Sequence, residues 1–350
     1  MAILQSASEA FWGLLHPWIF MSVSLSFLPG TLLRLLRARQ LLAHLLPSPS
    51  RLRDAWFGDF WSAVGPQVRE MGEDRVVPLL EGRVHRGQAL EDPAVVRGVN
   101  GAEPGLRGTV LEIGAGSGMW VGLLGKFVDP RLRKAEGPAA AAANPTTPGG
   151  GSTNGERAAA EDRETALEEA MELRQRRGLE GGQLGGGGSS PHTVTRILGV
   201  EPNAGHHAEL RRRVVEAGLD GVYEIVPVGI EDLAASGKVE RGSVDCIVSI
   251  LCLCSIPEPR RHITELYGYL KPGGKWYVYE HVKCSNSWAM VLYQAIVELF
   301  WPHLIGGCHL QRETGKWLRE AGPWTSVDLA QPVQEPWWHC VPHITGTLTK

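Results

Sequence analysis

The sequence predicts an α/β fold: a doubly wound, mainly parallel, seven-stranded Rossmann-like sheet with helices on both faces. Three observations predict it. Short apolar, β-branched runs alternate with helical patterns from Thr109 onward. The run Val244–Leu251 is apolar nearly throughout, as expected of a parallel strand covered on both faces. A glycine-rich turn, Gly114-Ala115-Gly116-Ser117-Gly118, directly follows the first strand.

The elements follow in order. Thr109–Ile113 reads as the first strand and Met119–Val128 as a helix. Thr195–Val200 is the second strand. Asn203–Ala217 is a helix, with Asn203 as N-cap and Gly218 as terminator. Tyr223–Pro227 and Val244–Leu251 are the third and fourth strands. Pro259–Leu270 is a helix, after which Lys271–Gly274 turns the chain into a fifth strand, Trp276–Val282. Helical patterns near Trp288–Phe300 and Glu313–Ala321 precede two late strands, Ser326–Leu329 and Ile344–Thr349. On such sheets a ligand sits beyond the carboxyl ends of the strands.

Composition sets outer bounds. An ordinary hydrophobic share of 43% excludes global disorder. A net charge of −3 argues against a broad nucleic-acid surface, so no nucleic-acid partner is expected. Six cysteines without a C-x-x-C spacing support neither a disulfide scaffold nor a structural zinc site, and no metal is expected. Reduced thiols in a cytosol-facing domain fit this usage.

Two stretches stand apart. Residues 131–192 change composition abruptly, with Ala, Pro, Gly and Thr in 138–153 and mostly Gly in 183–190. Too little apolar surface is available there to order the chain, so this is expected to be a disordered, low-complexity insertion. Residues 1–50 are expected to contact a membrane, 51–108 to form a helical lead-in, and 109–350 to form the main domain around the insertion. Between Glu9 and Arg34 there are 24 residues without formal charge. As a helix they span about 36 Å, against a hydrocarbon core of about 30 Å. Pro29 should end or kink that helix. Arg34, Arg37 and Arg39 then follow, and Trp12, Trp18, Trp56 and Trp61 are candidate interfacial anchors. The missing basic n-region argues against a signal peptide. Hairpin, interfacial helix and kinked span all remain open.

The glycine turn carries the chemistry. A dinucleotide fingerprint needs a glycine at position 119, which is Met119. The pattern is instead Glu112-x-Gly114-x-Gly116-x-Gly118, with an acid two residues before the first glycine. A second acid, Glu201, closes the second strand ahead of Pro202 and Asn203. It lies 85 residues after Gly116, and setting aside the 62-residue insertion leaves 23, close to one βαβ step. Residues Gly229–Leu233, Ser243–Ser249 and Leu270–Gly274 complete the series.

This series resembles the class I S-adenosylmethionine-dependent methyltransferases. The resemblance implies that S-adenosylmethionine is the cofactor, held by Glu112, Gly114, Ala115, Gly116, Gly118, Glu201, Pro202, Asn203, Ile230, Glu231, Ser249 and Leu251. In this reading Glu201 takes the ribose hydroxyls and Ile230 packs on the base. From Val244 onward the chain resembles the methyltransferase-like-seven family of membrane-associated thiol S-methyltransferases. The matching pieces are Leu251–Ser255, Tyr279–Val282, Gly307–Leu310 and Pro342–Ile344. The resemblance covers residues 105–130 and 193–350, and departs at Ala115, where many relatives carry Cys. It implies a small lipophilic thiol as acceptor and a location on endoplasmic reticulum or lipid-droplet membranes, with the catalytic domain facing the cytosol. A lipid, quinone or amine acceptor, or a non-catalytic membrane protein keeping the fold, are the alternatives.

A thiol of ordinary pKa is only a few per cent ionised at neutral pH, so a base or cation would help. His281 and Glu280, at the end of the fifth strand, are the candidate catalytic pair; His309 and His303 stand behind them. Cys252 and Cys254 read as core packing, and Cys308 as pocket lining or packing. Trp337 and Trp338 either cover a lipophilic pocket or sit in the core.

Overall fold

A computed structural model describes residues 2–45, 50–92, 95, 105–133, 193–285 and 287–350. The chain divides into two units, residues 1–137 with 191–350, and residues 138–190. The second unit, and with it nearly all of the expected insertion, lies outside the described residues.

The sheet has seven strands: β3 (Arg107–Ile113), β4 (Thr193–Val200), β5 (Tyr223–Val226), β6 (Val244–Ile250), β7 (Leu270–His281), β8 (Ser326–Ala330) and β9 (His343–Thr349). Their order is β5-β4-β3-β6-β7-β9-β8. Strands β3 to β7 run parallel to one another, and β9 runs antiparallel between β7 and β8. A separate two-stranded ribbon, β1 (Val84–His85) and β2 (Gln88–Ala89), precedes it. The strand order reverses at β3, between β4 and β6, which places the glycine turn at the switch point of the sheet.

Successive side chains alternate across the sheet and make two cores. Val110, Val248 and Tyr277 pack on one face with Leu123, Leu124 and Leu210. Leu111, Ile247, Trp276 and Val278 pack on the other with Ile263, Leu266 and Leu318. The covering helices are α4 (Val121–Gly125), α5 (Ala204–Glu216), α6 (Pro259–Tyr267) and α9 (Thr314–Glu320). Asn203 caps α5 by accepting the Gly205 N–H at 2.9 Å, and Gly218, at φ +66°, follows its end, as the sequence predicts.

Two boundaries differ from expectation. The helix after the glycine turn is only one turn long. Strand β7 starts at Leu270 rather than after the Lys271–Gly274 turn. That segment is drawn into the sheet because Lys271 bonds Asp245 at 2.8 Å and the Gly273 N–H donates to the Lys350 carbonyl.

The N-terminal half departs further. Helix α1 (Ala2–Arg37) runs unbroken through Pro17 and Pro29, followed by α2 (Leu41–Leu45) and α3 (Ser50–Leu80). An interior proline costs about 3 kcal/mol. Contacts with the rest of the chain offset it. Trp56 donates to the Ser24 carbonyl at 2.7 Å, Thr31 and Arg34 both bond Asp59, and Ser24 bonds the Leu304 carbonyl. Trp18 donates to the Tyr293 hydroxyl at 2.8 Å. A third core forms between α1, α3, α7 (Trp288–Glu298) and α8 (Trp301–Leu304), through Met21, Phe60, Met290, Val297 and Trp301. Trp56 and Trp61 therefore face inward and are not interfacial anchors, whereas Trp12 is 58% exposed. Trp338 packs into this third core and Trp337 stays exposed.

Candidate active site

The turn after β3 is closed by main-chain bonds. The N–H groups of Gly114 and Ala115 both donate to the Val200 carbonyl at 3.1 Å. Gly114 has φ +71°, and a β-carbon there would stand 2.6 Å from that of Cys252. Gly118 has φ +86°, with Leu210 2.9 Å from its would-be β-carbon. Only glycine fits these two positions.

Glu201 lies at the carboxyl end of β4, directly beside this turn. Its carboxylate accepts the N–H groups of Gly116 and Asn203, each at 2.8 Å, and pairs with His206 Nδ1 at 3.4 Å. Burial opposes its charge, but His206 and the two N–H groups outweigh burial and hold it below the ordinary carboxylate range. It is therefore an ionised acceptor set beside a crowded bend. Pro202 is exposed at the same turn. A cleft of about 610 Å³ is lined by Ser117, Asn203 and His206 together with Arg34, Arg51 and Asp54.

Glu112 is placed differently. It pairs across the sheet with Gly199, whose missing side chain leaves room for the Tyr223 hydroxyl to donate to Glu112 at 2.5 Å. Burial pushes its pKa up to about 7; the Tyr223 bond opposes this and Glu201 adds to it. The structure thus brings Glu201, Gly116 and Asn203 together and sets Glu112 beneath them, on Tyr223. A carboxyl whose folded pKa is raised contributes stability below its unfolded pKa and loses it as pH rises through the folded value. Glu112→Gln keeps an oxygen for Tyr223 and never ionises. Wild type should therefore lose about 3 kcal/mol of stability between roughly pH 4.5 and pH 7 that the variant retains. Urea midpoints at both pH values check this, and equal pH dependence in the two proteins would refute it.

The remaining expected residues spread along the same edge. Ile230 is buried at the start of a single 3-10 turn, Ile230–Asp232, while Glu231 is half exposed near His262. Ser249 is fully buried and accepts the Trp276 indole N–H at 2.9 Å, so its hydroxyl serves the core. Leu251 adopts φ +54°, rare for a branched side chain, and its N–H is held by the Tyr279 carbonyl.

Glu280 is wholly buried and accepts the N–H groups of Cys252 and Leu253 at 3.2 and 3.0 Å, and the Cys252 thiol at 3.3 Å. Burial raises its pKa to about 7, against the pull of those bonds. Its contacts fasten the segment after β6 to β7. His281 ends β7 beside two thiols: its Nδ1 lies 3.4 Å from Cys308 Sγ, and Cys254 Sγ shares the cluster. His309 instead pairs with Glu298 at 2.7 Å on the surface, and His303 is exposed on α8.

Sequence reasoning missed the group behind His281. The His343 ring lies 4.6 Å from that of His281 and stacks on Tyr279. His343 Nδ1 bonds Glu335, which Arg75 and His339 also approach. Burial and the neighbouring His281 lower the His343 pKa to about 4, against the pull of Glu335. Burial opposes the Glu335 charge, yet the two histidines hold it far below the usual range. The spacing Glu335-x3-His339-x3-His343 was the available signal. Arg312, whose guanidinium bonds the carbonyls of Leu253 and Ile256 at 2.7 and 2.6 Å, braces the same loop.

Comparison with known proteins finds methyltransferases. Residues 183–278 match the family model described as a methyltransferase domain. The chain is 38% identical over 157 residues to the thiol S-methyltransferase TMT1B of Homo sapiens, covering 44% of this chain and 62% of that protein. It is 37% identical over 157 residues to the human thiol S-methyltransferase TMT1A, with the same coverage. The rat TMT1B match is 38% over 109 residues, 31% of this chain and 44% of the relative. The chain thus matches less than two thirds of the length of these relatives. Among solved structures it resembles an O-methyltransferase described as putative from Nostoc punctiforme (TM-score 0.44, 9% identity, 84% of this chain and 60% of that chain). It also resembles an O-methyltransferase family protein from Burkholderia thailandensis (TM-score 0.42, 14% identity, 97% of this chain and 71% of that one). The resemblance to methyltransferases carried by the sequence motifs is borne out.

Proposed function

We propose that this chain, which carries a methyltransferase domain, transfers the methyl group of S-adenosylmethionine to the sulfur of a small lipophilic thiol at a membrane surface. One observation supports it above the others. The acid-and-glycine cradle of Glu201 and Gly116 shares a sheet edge with a histidine and two thiols, which adjoin an aromatic, apolar core. The residues fit the cofactor. Glu201 would present an ionised carboxylate to two ribose hydroxyls, and the glycine bend, packed on Cys252 and Leu210 where a β-carbon would not fit, sets the Gly116 backbone beside it.

When bound, S-adenosylmethionine supplies an electrophilic methyl on a positively charged sulfur. The protein's part is to present a thiolate in line with it. Attack by an anion cancels charge, so an apolar wall favours the transition state over the separated ions. Phe20, Phe57, Phe60 and Trp61 build such a wall beside Cys254 and Cys308. His281 is the residue placed to take the acceptor's proton; Glu280 acts through the Cys252–Leu253 backbone as a positioning residue.

The membrane reading draws on two helices. Residues 8–37 of α1 are long and apolar enough to cross a bilayer, and only 22% of the most apolar window is buried. Yet Trp18, Ser24, Thr31 and Arg34 bond the rest of the chain along its length, which favours lying on a membrane over crossing it. Trp288, Leu292, Ile296 and Leu299 form an exposed apolar face on α7 and its end, and Phe300 packs on Trp18 of α1 at 5.7 Å. The endoplasmic reticulum or lipid-droplet surface, with the domain in the cytosol, is the location we infer.

The test is turnover. Full-length protein with S-adenosylmethionine should methylate alkyl thiols, and should float with phospholipid vesicles. Methylation of quinones, phospholipids or amines with thiols untouched would replace the acceptor class. Absence of turnover on all of them would favour the non-catalytic alternative. Protein left behind by the vesicles would remove the membrane part.

A further inference from the structure

The absence of a C-x-x-C spacing argues against zinc only along the sequence. In the fold, Cys254 beyond β6, His281 at the end of β7 and Cys308 beyond α8 converge. One ligand atom from each lies within 4.8 Å of the other two, and His281 Nδ1 is 3.4 Å from Cys308 Sγ. Tetrahedral zinc, with Zn–S about 2.3 Å and Zn–N about 2.0–2.1 Å, requires N···S near ~3.6 Å and S···S near ~3.8 Å. The trio therefore closes on such an ion with movements of a few tenths of an ångström up to about 1 Å. Two thiolates and an imidazole are a borderline-soft donor set that suits zinc, while magnesium and calcium prefer oxygen.

The surroundings hold the trio in place. The His309 N–H donates to the Cys254 carbonyl at 2.9 Å, tying the two cysteine loops together. Gly306 and Gly307, both at positive φ, make the bend before Cys308, and a β-carbon on Gly306 would stand 2.7 Å from Phe57. Arg312 braces the Cys254 loop through two carbonyls, and His343 rests on the His281 ring. The other partners of Cys254 Sγ are weak: the Leu251 carbonyl at 3.9 Å and the Ser255 hydroxyl at 3.6 Å. Cys252, Cys284 and Cys340 stand outside the trio. By contrast, Glu335 in the Glu335–His339–His343 group already accepts the His343 N–H groups, which suits a structural role.

We propose that Cys254, His281 and Cys308 bind a zinc ion in a Cys2His site, leaving a fourth position for the sulfur of the acceptor. This deepens the methyl-transfer reading and rests on it for the fourth ligand. With zinc present, His281 is a ligand and not a base. The acceptor thiol would bind zinc as a thiolate and release its proton to solvent. Its sulfur lone pair would then form the new C–S bond as the donor's methyl–sulfonium bond breaks. The product thioether is neutral, a poorer ligand than thiolate, and leaves.

The experiment is metal analysis of full-length protein, stripped by chelator and reloaded with zinc or cobalt. We expect about one zinc per chain, an intense thiolate-to-cobalt charge-transfer band in the cobalt form, and a change in that band on adding an alkyl thiol. Cys254→Ser/Cys308→Ser should lose both metal and band, while Cys284→Ser keeps them. Wild type that takes up no zinc in a calorimetric titration overturns the site even where the double variant fails to fold. So does a double variant that retains zinc. An unresponsive cobalt band overturns the fourth position. S-adenosylmethionine binding, measured on the same samples, separates the two readings. Zinc-free protein that binds and turns over thiols keeps methyl transfer and loses the ion; zinc-loaded protein blind to the nucleoside does the reverse.

Discussion

Glu201→Ala is expected to weaken S-adenosylmethionine binding by about 100- to 1,000-fold, from the loss of two charge-assisted hydrogen bonds to ribose worth roughly 3–4 kcal/mol together. The same carboxylate accepts the N–H groups of Gly116 and Asn203, so the glycine bend also loses its tether. Glu112→Gln is the contrasting variant. Its side chain meets Tyr223 below the bend, and affinity should change only a few-fold. Isothermal titration with S-adenosylmethionine reads both. An unchanged Kd in Glu201→Ala would end the cofactor assignment. Equal losses in both variants would place Glu112 at the ligand after all.

The second large effect is on stability. Gly114→Ala puts a β-carbon 2.6 Å from that of Cys252 at φ +71°. Neither side yields easily. The Gly114 N–H is held by Val200, and the Cys252 N–H by the buried Glu280. Left-handed backbone costs an alanine about 1–2 kcal/mol and forced overpacking about 1–3 kcal/mol more. We expect a loss of roughly 2–5 kcal/mol, read as a fall in Tm of about 5–15 °C. Gly116→Ala is the internal standard. It shares a positive φ, +54°, but its nearest atom is 3.9 Å away, so only the backbone contribution remains. Equal melting of the two variants would show that the packing against Cys252 carries no weight.

The sheet was legible because its signals are local. Apolar runs such as Val244–Leu251 and caps such as Asn203 act within a few residues, and their alternation marks a doubly wound sheet. The place of Glu201 was legible because an acid at a strand end next to a glycine turn needs no distant partner to be located. What escaped depended on contacts between remote segments. Pro29 looks like a helix end until Trp56, Thr31 and Asp59 are brought against α1. Trp56 and Trp61 look interfacial until α3 turns them inward. The Tyr223 bond to Glu112 escaped because it needs the gap left by Gly199 on the neighbouring strand. Cys254, His281 and Cys308 lie 27 residues apart in each step, beyond any motif window.

The seam that joins α1 to the domain has a kinetic consequence. A tether of loose chain would let the sheet wander at any height above the lipid. Five stitches along one helix fix its place on the chain instead. Were that helix to lie in the headgroup layer, as we propose, an oily acceptor would arrive by lateral diffusion in two dimensions. Its working concentration would then be set by partitioning into the leaflet and not by its solubility in water.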